Sequence, residues 1–286
     1  MIAYNPKAWF SIVFKFHKAD TFRELLPLIL VIAAYSGLIA WLEMSVWQLS
    51  QNSAVKNLSL IHSTLGLVIS MLLVFRTNTA YERWWEGRKL WGSLVNSSRN
   101  FALKLAALAP AEREFFRKMI PAFAVALKHH LRAERPVLDL GADTEDLLDA
   151  NHVPIRIAGK MIGRVAELEK SGALKPEHVL FLQQELINFA DVSGACERIR
   201  KTPIPFSYSV FLKKFIFLYV MTLPFGYVFS LGYLVIPVVA IVFYVLASLE
   251  LIAEEIEDPF GKDANDLPLD DIAATIRANV DEILAK

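Results

Sequence analysis

The chain has 286 residues, 55% of them hydrophobic, and a mean hydropathy of +0.38. That lies above the roughly 45–50% apolar usage of soluble domains. Thirty Lys and Arg balance thirty Asp and Glu, so net charge points to no nucleic-acid partner, and the single cysteine, Cys196, excludes an intramolecular disulfide and any cysteine zinc motif.

The balance of charge hides a segregation. Charges almost vanish from four stretches and concentrate between them. Residues 1–24 form an amphipathic approach segment. In it Trp9, Phe10, Ile12, Val13, Phe14 and Phe16 alternate with Lys7, Lys15, His17 and Lys18. A basic, aromatic segment before a span can lie in the interface plane or pack on a cytoplasmic domain. No small-residue cleavage site follows it, so no cleavable signal peptide is expected.

Leu25 to Leu42 is the first span, 18 residues without formal charge. A hydrocarbon core of ~30 Å needs about 20 apolar helical residues, with a lower limit near 17. Pro27 is expected in the first turn, where a missing amide hydrogen costs little. Residues 43–57 connect it to the second span, Leu58 to Phe75, so 25–75 reads as a transmembrane hairpin. The second pair of apolar helices, Phe215 to Ser230 and Leu231 to Leu251, makes a hairpin over 213–251. Pro224, Gly226, Gly232 and Pro237 allow kinks, close approach or a tight turn there.

Between the hairpins, 76–212 is a long insertion. Apolar periodicity at 89–108, 112–133, 155–170 and 176–200 predicts four helices, separated at Pro110, at Pro136 to Pro154 and at Gly172. Thr202-Pro203-Ile204-Pro205 ends the last one. Residues 252–286 hold an acidic segment and an amphipathic helix over Ile272 to Leu284. No β-alternation is sustained. The expectation is an all-α membrane protein with four transmembrane helices and a helical cytoplasmic domain. The loop 43–57 has one Lys and the 229–234 turn none, so the positive-inside bias places both termini and the helical domain in the cytoplasm.

Enzyme chemistry finds little support. There is no phosphate-binding Gly-rich loop and no Gly-x-Ser-x-Gly. His129 and His130 are adjacent, point to different helix faces and cannot chelate together. The other histidines are scattered through the sequence, and each reads as a surface or core residue. Cys196 reads as a buried structural thiol.

The most informative stretch begins where the second span ends: Phe75-Arg76-Thr77-Asn78-Thr79-Ala80-Tyr81-Glu82-Arg83-Trp84-Trp85-Glu86-Gly87-Arg88. By physics alone it is an interfacial anchor, with Arg76, Arg83 and Arg88 at a cytoplasmic boundary and Tyr81, Trp84 and Trp85 at headgroup level. It also resembles the signature that follows the second membrane helix in bacterial bestrophins. Far away, Glu257-Asp258-Pro259-Phe260-Gly261, followed by Asp263, Asn265 and Asp266, is similar to the Asn-Pro-Phe-Gly and acidic run of that family. The likeness extends along nearly the whole chain.

The resemblance implies a homo-pentameric ion channel in the bacterial inner membrane. Its second transmembrane helix would line a hydrophobic neck, and a cytoplasmic vestibule would end in a second aperture. Counting from Arg76, Tyr81 and Glu82 places the neck at Leu60, Thr64 and Val68, or one residue on at Ile61, Leu65 and Ile69. The aliphatic face itself includes Ile61, Leu65, Val68 and Leu72. Counting back from Cys196 places the aperture at Val179 or Leu180. The large aromatics of animal necks are missing, and the expectation leans to monovalent cations such as sodium, with a chloride channel of the same architecture as the alternative. Partners would be further copies of the chain, the bilayer and the permeant ions.

No cofactor is expected. Glu257, Asp258, Asp263 and Asp266 could offer oxygen ligands to calcium, as the family's clasp does. The run is thinner here, so a solvated segment whose acids pair with Arg83 and Arg88 is preferred. Arg76, Glu82, Arg83, Glu86 and Arg88 read as a polar knot that ties the pore helix to the cytoplasmic domain, with Arg83 and Glu86 at helical neighbour spacing; Asn78 belongs to the same structural motif. Rival readings are a transporter or membrane enzyme, which the lack of acids and bases at midplane depth disfavours, and a non-conducting membrane-anchored helical scaffold.

Overall fold

The computed structural model describes residues 21–47, 58–136, 138, 147 and 149–285. Most of the 1–24 approach segment and of the 43–57 connection lies outside them. Among the described residues the main elements are helices α1 (Thr21–Trp41), α2 (Leu58–Leu108), α3 (Arg113–Leu131), α4 (Val153–Lys170), α5 (Pro176–Lys201), α6 (Phe206–Leu231), α7 (Val235–Glu257) and α8 (Leu269–Leu284), with no strand. They form two compact units. The apolar unit runs to Glu82 and resumes over Pro203–Glu257; the second comprises Arg83–Thr202 and Asp258–Lys286. α2 contributes residues to both.

The apolar unit has the length and composition of membrane helices. Thr21–Val46, Ser59–Leu108 and Phe206–Glu257 each contain an uninterrupted window apolar enough to cross a bilayer. The last is divided at Gly232, whose φ of +56° is a conformation other residues resist. The chain turns there through Gly232–Leu234. Val228, Val235 and Val239 on either side enter one buried cluster with Ile32, Ile69, Leu73 and Val220. α1 approaches α7 closely at Gly37, where an added Cβ would lie 3.3 Å from Ile236.

α1 starts earlier than expected. Its first turn is Thr21-Phe22-Arg23-Glu24, which places Pro27 in the second turn rather than the first. Helix geometry continues through polar residues that an apolar count leaves out. Past Trp41 the chain stays helical as a π turn, Leu42–Val46, which holds Glu43, a residue assigned to the connection.

Four hydroxyls in the first part of α2 are satisfied within the helix. Ser63, Ser70, Thr77 and Thr79 donate to the carbonyls four residues back, at 3.1, 2.7, 2.9 and 2.9 Å. Such bonds let polar side chains enter an apolar environment without an unmet donor.

The second unit is built around aromatic side chains. Phe101, Phe116, Phe123 and Phe189 meet edge to face, with centroid distances of 5.5 Å (Phe101–Phe116), 6.0 Å (Phe101–Phe189) and 4.9 Å (Phe123–Phe189). That geometry sets the positive ring edge against a negative face. α8 packs on α3 through its buried stripe Ala273, Ile276, Val280 and Leu284. Ion pairs from Lys128 and Arg132 to Asp270, at 2.7 and 2.9 Å, fix its start.

α3 ends in a Schellman motif. The Glu134 amide donates to the His129 carbonyl at 2.9 Å, and the Ala133 amide to that of His130 at 3.2 Å. Ala133 sits in the left-handed region, φ 56°, where such motifs usually carry glycine. Further on, Gly172, with φ +79°, follows α4, and Pro176 opens α5 at the position where its missing amide costs nothing.

Candidate functional site

The faces of α2 separate the candidate neck residues. His62, Ile69, Leu73, Arg76 and Ala80 are buried. His62 Nε2 lies 2.9 Å from Thr222 Oγ1, and its ring meets those of Tyr219 and Tyr227. The Tyr208 hydroxyl donates to the Leu72 carbonyl at 3.0 Å. An added Cβ on Gly66 would lie 2.8 Å from Tyr219 Oη, so that glycine lets the two helices close. This side of α2 is committed to α6 and α7.

The opposite side is open in the chain. Leu60 is 71% exposed, Ile61 55%, Leu67 72% and Val68 43%, and Thr64 is exposed with them. The Thr64 hydroxyl turns back to the Leu60 carbonyl at 3.4 Å, which leaves the line Leu60, Thr64, Val68 apolar in character. In the neighbouring register Leu65 is half-buried and Ile69 only 1% exposed, against the intrachain core. Leu72 is half-buried too. The structure therefore separates a set that the sequence brings together. Every one of these residues is aliphatic or a small alcohol, and only their packing partners distinguish the faces.

At the start of α5, Leu180 is 69% exposed while Val179 packs against the core of its unit. Beside Leu180, the Lys104 ammonium lies 4.1 Å from the centroid of Phe181. It also bonds the Glu185 carboxylate at 2.8 and 2.9 Å.

The residues of the signature fall into two separate groups. In the apolar unit Arg76, 1% exposed, pairs with Glu257 at 2.7 Å and with Glu250 at 3.5 Å. Glu257 also accepts the Ile204 amide at 2.7 Å. Asn78, Tyr81 and Glu82 are exposed. In the second unit the Arg83 guanidinium donates to the Ile199 and Thr202 carbonyls at 2.6 and 2.5 Å, capping the C-terminal end of α5. Trp84 donates from Nε1 to the Asn265 carbonyl at 3.0 Å and stacks on Trp85. Glu86 pairs with Arg198 at 2.8 Å, and Arg88 is exposed.

This corrects one pairing expected from helical spacing. Glu86 reaches across to α5 rather than along its own helix to Arg83. Arg83 serves the carbonyl oxygens that end α5. A guanidinium beside the last turn of a helix meets several unfilled carbonyls and the negative end of the dipole, and both attract it.

Among the described residues, the acids after α7 do not appear as a metal-type cluster. Glu257 is engaged with Arg76. Asp266, 2% exposed, accepts the Asp263 amide at 2.7 Å, and a side chain at Gly261 would collide with its carboxylate. The Leu267 amide closes the loop onto the Pro259 carbonyl at 2.9 Å. Phe260 from this loop is fully buried and rests on Gly87, where an added Cβ would lie 3.0 Å from its ring. This contact explains the glycine in the α2 signature. Lys262 pairs with Glu134 and Asp258 opens the unit.

Two arrangements were not visible in the sequence. One is a polar contact in which Asn188 donates to Ser93 at 3.1 Å and also to Ser97. The other brings His130, His152 and Glu197 together, with one ligand-type atom from each lying within 4.8 Å of the others. The histidines that looked scattered thus include a converging pair. Cys196, next to Glu197, is fully buried, and burial pushes its thiol up to about 12.

A long helix with one committed face and one open apolar face, followed by the Arg76–Trp85 signature and the Pro259–Phe260–Gly261 loop, defines a bestrophin. The family described as Bacterial/Fungal Bestrophin protein matches residues 1–282, and the chain belongs to it. Among named relatives, the voltage-dependent anion channel-forming protein alr2987 of Nostoc sp. is 39% identical over 234 residues, 76% of this chain and 75% of that one. The similarly named mll4386 of Mesorhizobium japonicum is 31% identical over 294 residues, 99% and 92% of the two chains. A crystal structure of a bacterial bestrophin homologue from Klebsiella pneumoniae matches with a TM-score of 0.84 and 30% identity, over 92% of this chain and 99% of that one.

These names overturn the leaning to cations. That leaning rested on the missing aromatics of the neck and on the resemblance to bacterial members of the family, whereas the relatives are named for anions.

Proposed function

We propose that the chain is the subunit of an anion channel, assembled as a homo-pentamer in the bacterial inner membrane with both termini cytoplasmic. Each copy contributes four spans, α1, the first part of α2, α6 and α7, of which α2 lines the pore. The open line of α2 forms the neck, with Leu60, Thr64 and Val68 facing the pore. Leu180 forms a second aperture in the cytoplasmic part.

The observation that carries this reading is the open apolar line of α2. One chain leaves it uncovered, and several copies around an axis would close it into a narrow apolar tube. Such a tube gates by dewetting, because a few side-chain changes decide whether a water column is stable in it.

Selectivity for anions has its own support in α2. From Gly87 to Leu108 the helix carries Arg88, Lys89, Arg99 and Lys104 and no carboxylate. Repeated around an axis, these would form rings of positive charge, the usual device of anion pores. Arg88, Lys89 and Arg99 are exposed, whereas Lys104 is tied to Glu185.

Recording purified protein in a planar bilayer under a potassium chloride gradient tests the reading. The expected reversal potential lies near the chloride equilibrium value. A value near the potassium potential overturns anion selectivity. No current from a folded oligomer overturns the channel itself in favour of a scaffold.

A further inference from the structure

We propose that His130, His152 and Glu197 form a binding site for a divalent transition-metal ion of the zinc class. The three residues come from the end of α3, the residue that caps α4, and the last third of α5. Glu197 Oε1 lies 3.5 Å from His130 Nε2 and 2.5 Å from His152 Nε2. The two imidazoles stack with centroids 4.3 Å apart and planes 26° from parallel. All three side chains are half-buried.

A simple ion pair does not account for this arrangement. One imidazolium is enough to neutralise one carboxylate. Here two rings converge on the same oxygen, and protonating both would set two cations face to face. Neutral imidazoles with a carboxylate make a borderline donor set, suited to zinc and its neighbours and poorly suited to calcium or magnesium, which prefer oxygen. A tetrahedral ion with ligand distances of about 2.0–2.1 Å holds its donors roughly 3.4 Å apart. The donor spacings are close to that, and the stacked rings must turn about their side-chain torsions to aim both nitrogens at one ion.

Burial first, and then His152 and nearby cations, hold His130 below the ordinary imidazole value, against the pull of Glu197. Burial would raise Glu197, but hydrogen bonds from His152 and Lys201 outweigh it and keep the carboxyl below the usual range.

The surroundings orient the ligands. Lys201 bonds the second Glu197 oxygen at 3.1 Å, and the Ser193 hydroxyl lies 3.4 Å from the first. Arg200 donates to the His130 carbonyl at 2.8 Å. Partners of this kind fix metal ligands in place. His152 Nδ1 accepts the Ile155 amide at 3.4 Å, a long bond. Ligation through Nε2 gives that bond up, because the ring proton moves to Nδ1. A cavity of about 520 Å³, bordered by His130, Glu134, Asp149 and Val153, lies beside His130.

The test uses full-length protein in detergent, stripped with a chelator and then titrated with zinc and, separately, cobalt(II). One zinc per chain should bind and raise the melting temperature, and cobalt should give the intense visible bands of a tetrahedral site. His130→Ala and His152→Ala should each weaken zinc binding at least tenfold. His178→Ala, at an exposed helix start, should leave it unchanged. Calcium at the same concentration should produce no shift. If the His130→Ala/His152→Ala double variant melts like the parent without metal and binds zinc equally well, the proposal is overturned. An octahedral cobalt spectrum in the parent overturns it as well.

Discussion

Arg76 and Glu257 pair at 2.7 Å at a position where the arginine is 1% exposed, and Glu250 joins them from the preceding turns of α7. Removing one partner of a buried pair leaves an uncompensated charge, which costs about 3–5 kcal/mol. Arg76→Met should therefore strip most of the folded protein from a detergent preparation, read as loss of the main chromatographic peak and a sharply lower melting temperature. Arg76→Met/Glu250→Gln/Glu257→Gln should recover much of the yield, since no charge then remains unpaired. If the triple variant is as poor as the single one, the pair has no such role.

The two registers of α2 separate by experiment. Val68→Ser should raise single-channel current or open probability several-fold with little change in melting temperature, because it wets an exposed line. Ile69→Ser should do the reverse, costing at least about 2 kcal/mol of stability by burying a hydroxyl where a large aliphatic group packs. Equal behaviour of the two variants in both measurements would remove Leu60, Thr64 and Val68 from the neck.

The sequence made much of the scaffold legible. Pro154 and Pro176 open helices, Gly172 and Thr202-Pro203 close them, and Gly232 turns the last apolar stretch; each acts through its own backbone geometry. Which side of α2 is open was not legible, because Val68 and Ile69 are chemically alike. The distinction comes from Tyr208, Tyr219 and Thr222, far along the chain. The same holds for the contacts of Arg83 with the Ile199 and Thr202 carbonyls, which carry no side-chain signature. His130, His152 and Glu197 lie in three segments that only the tertiary fold brings together.

Arg83→Ala should cost about 1.5–3 kcal/mol, as expected for charge-assisted bonds to two carbonyls. Amide exchange near the end of α5 should quicken more than exchange in the Phe101–Phe123 core. Arg83→Lys should restore only part of the loss, since one ammonium does not span both oxygens as a guanidinium does. Uniform exchange across the unit would contradict the capping role.

At Gly87 two effects oppose each other. Alanine gains about 1 kcal/mol of helix propensity, but its methyl group would press on a fully buried Phe260, and overpacking costs about 1–3 kcal/mol. Gly87→Ala is expected to lower the melting temperature, and Phe260→Leu in the same chain to recover part of it. A higher melting temperature for Gly87→Ala alone would mean that the loop yields. Ala133→Gly should act in the other direction, adding up to about 1 kcal/mol by relieving the left-handed backbone.

Asp270 gives a pH test. The Lys128 ammonium holds its carboxyl down at about 2, burial opposes this, and Arg132 adds to it. A depressed folded value means that the contribution is complete above the ordinary value of 3.8 and fades as pH falls from about 4 to about 2. The group is 62% exposed, so solvent screening keeps the effect under about 1 kcal/mol. Asp270→Asn should melt slightly below the parent at pH 7, and the gap should close towards pH 2. A gap that widens on acidification would contradict the assignment.

Cys196 has a practical value for such work. It is the single thiol in the chain, it is fully buried, and its high pKa leaves almost no thiolate at neutral pH. Thiolate is the form that reacts with maleimides and methanethiosulfonates. The native chain is therefore already a silent background for cysteine scanning. Reporter thiols placed one at a time along Leu60 to Val74 can be labelled from either side of a membrane without first removing a residue from the core.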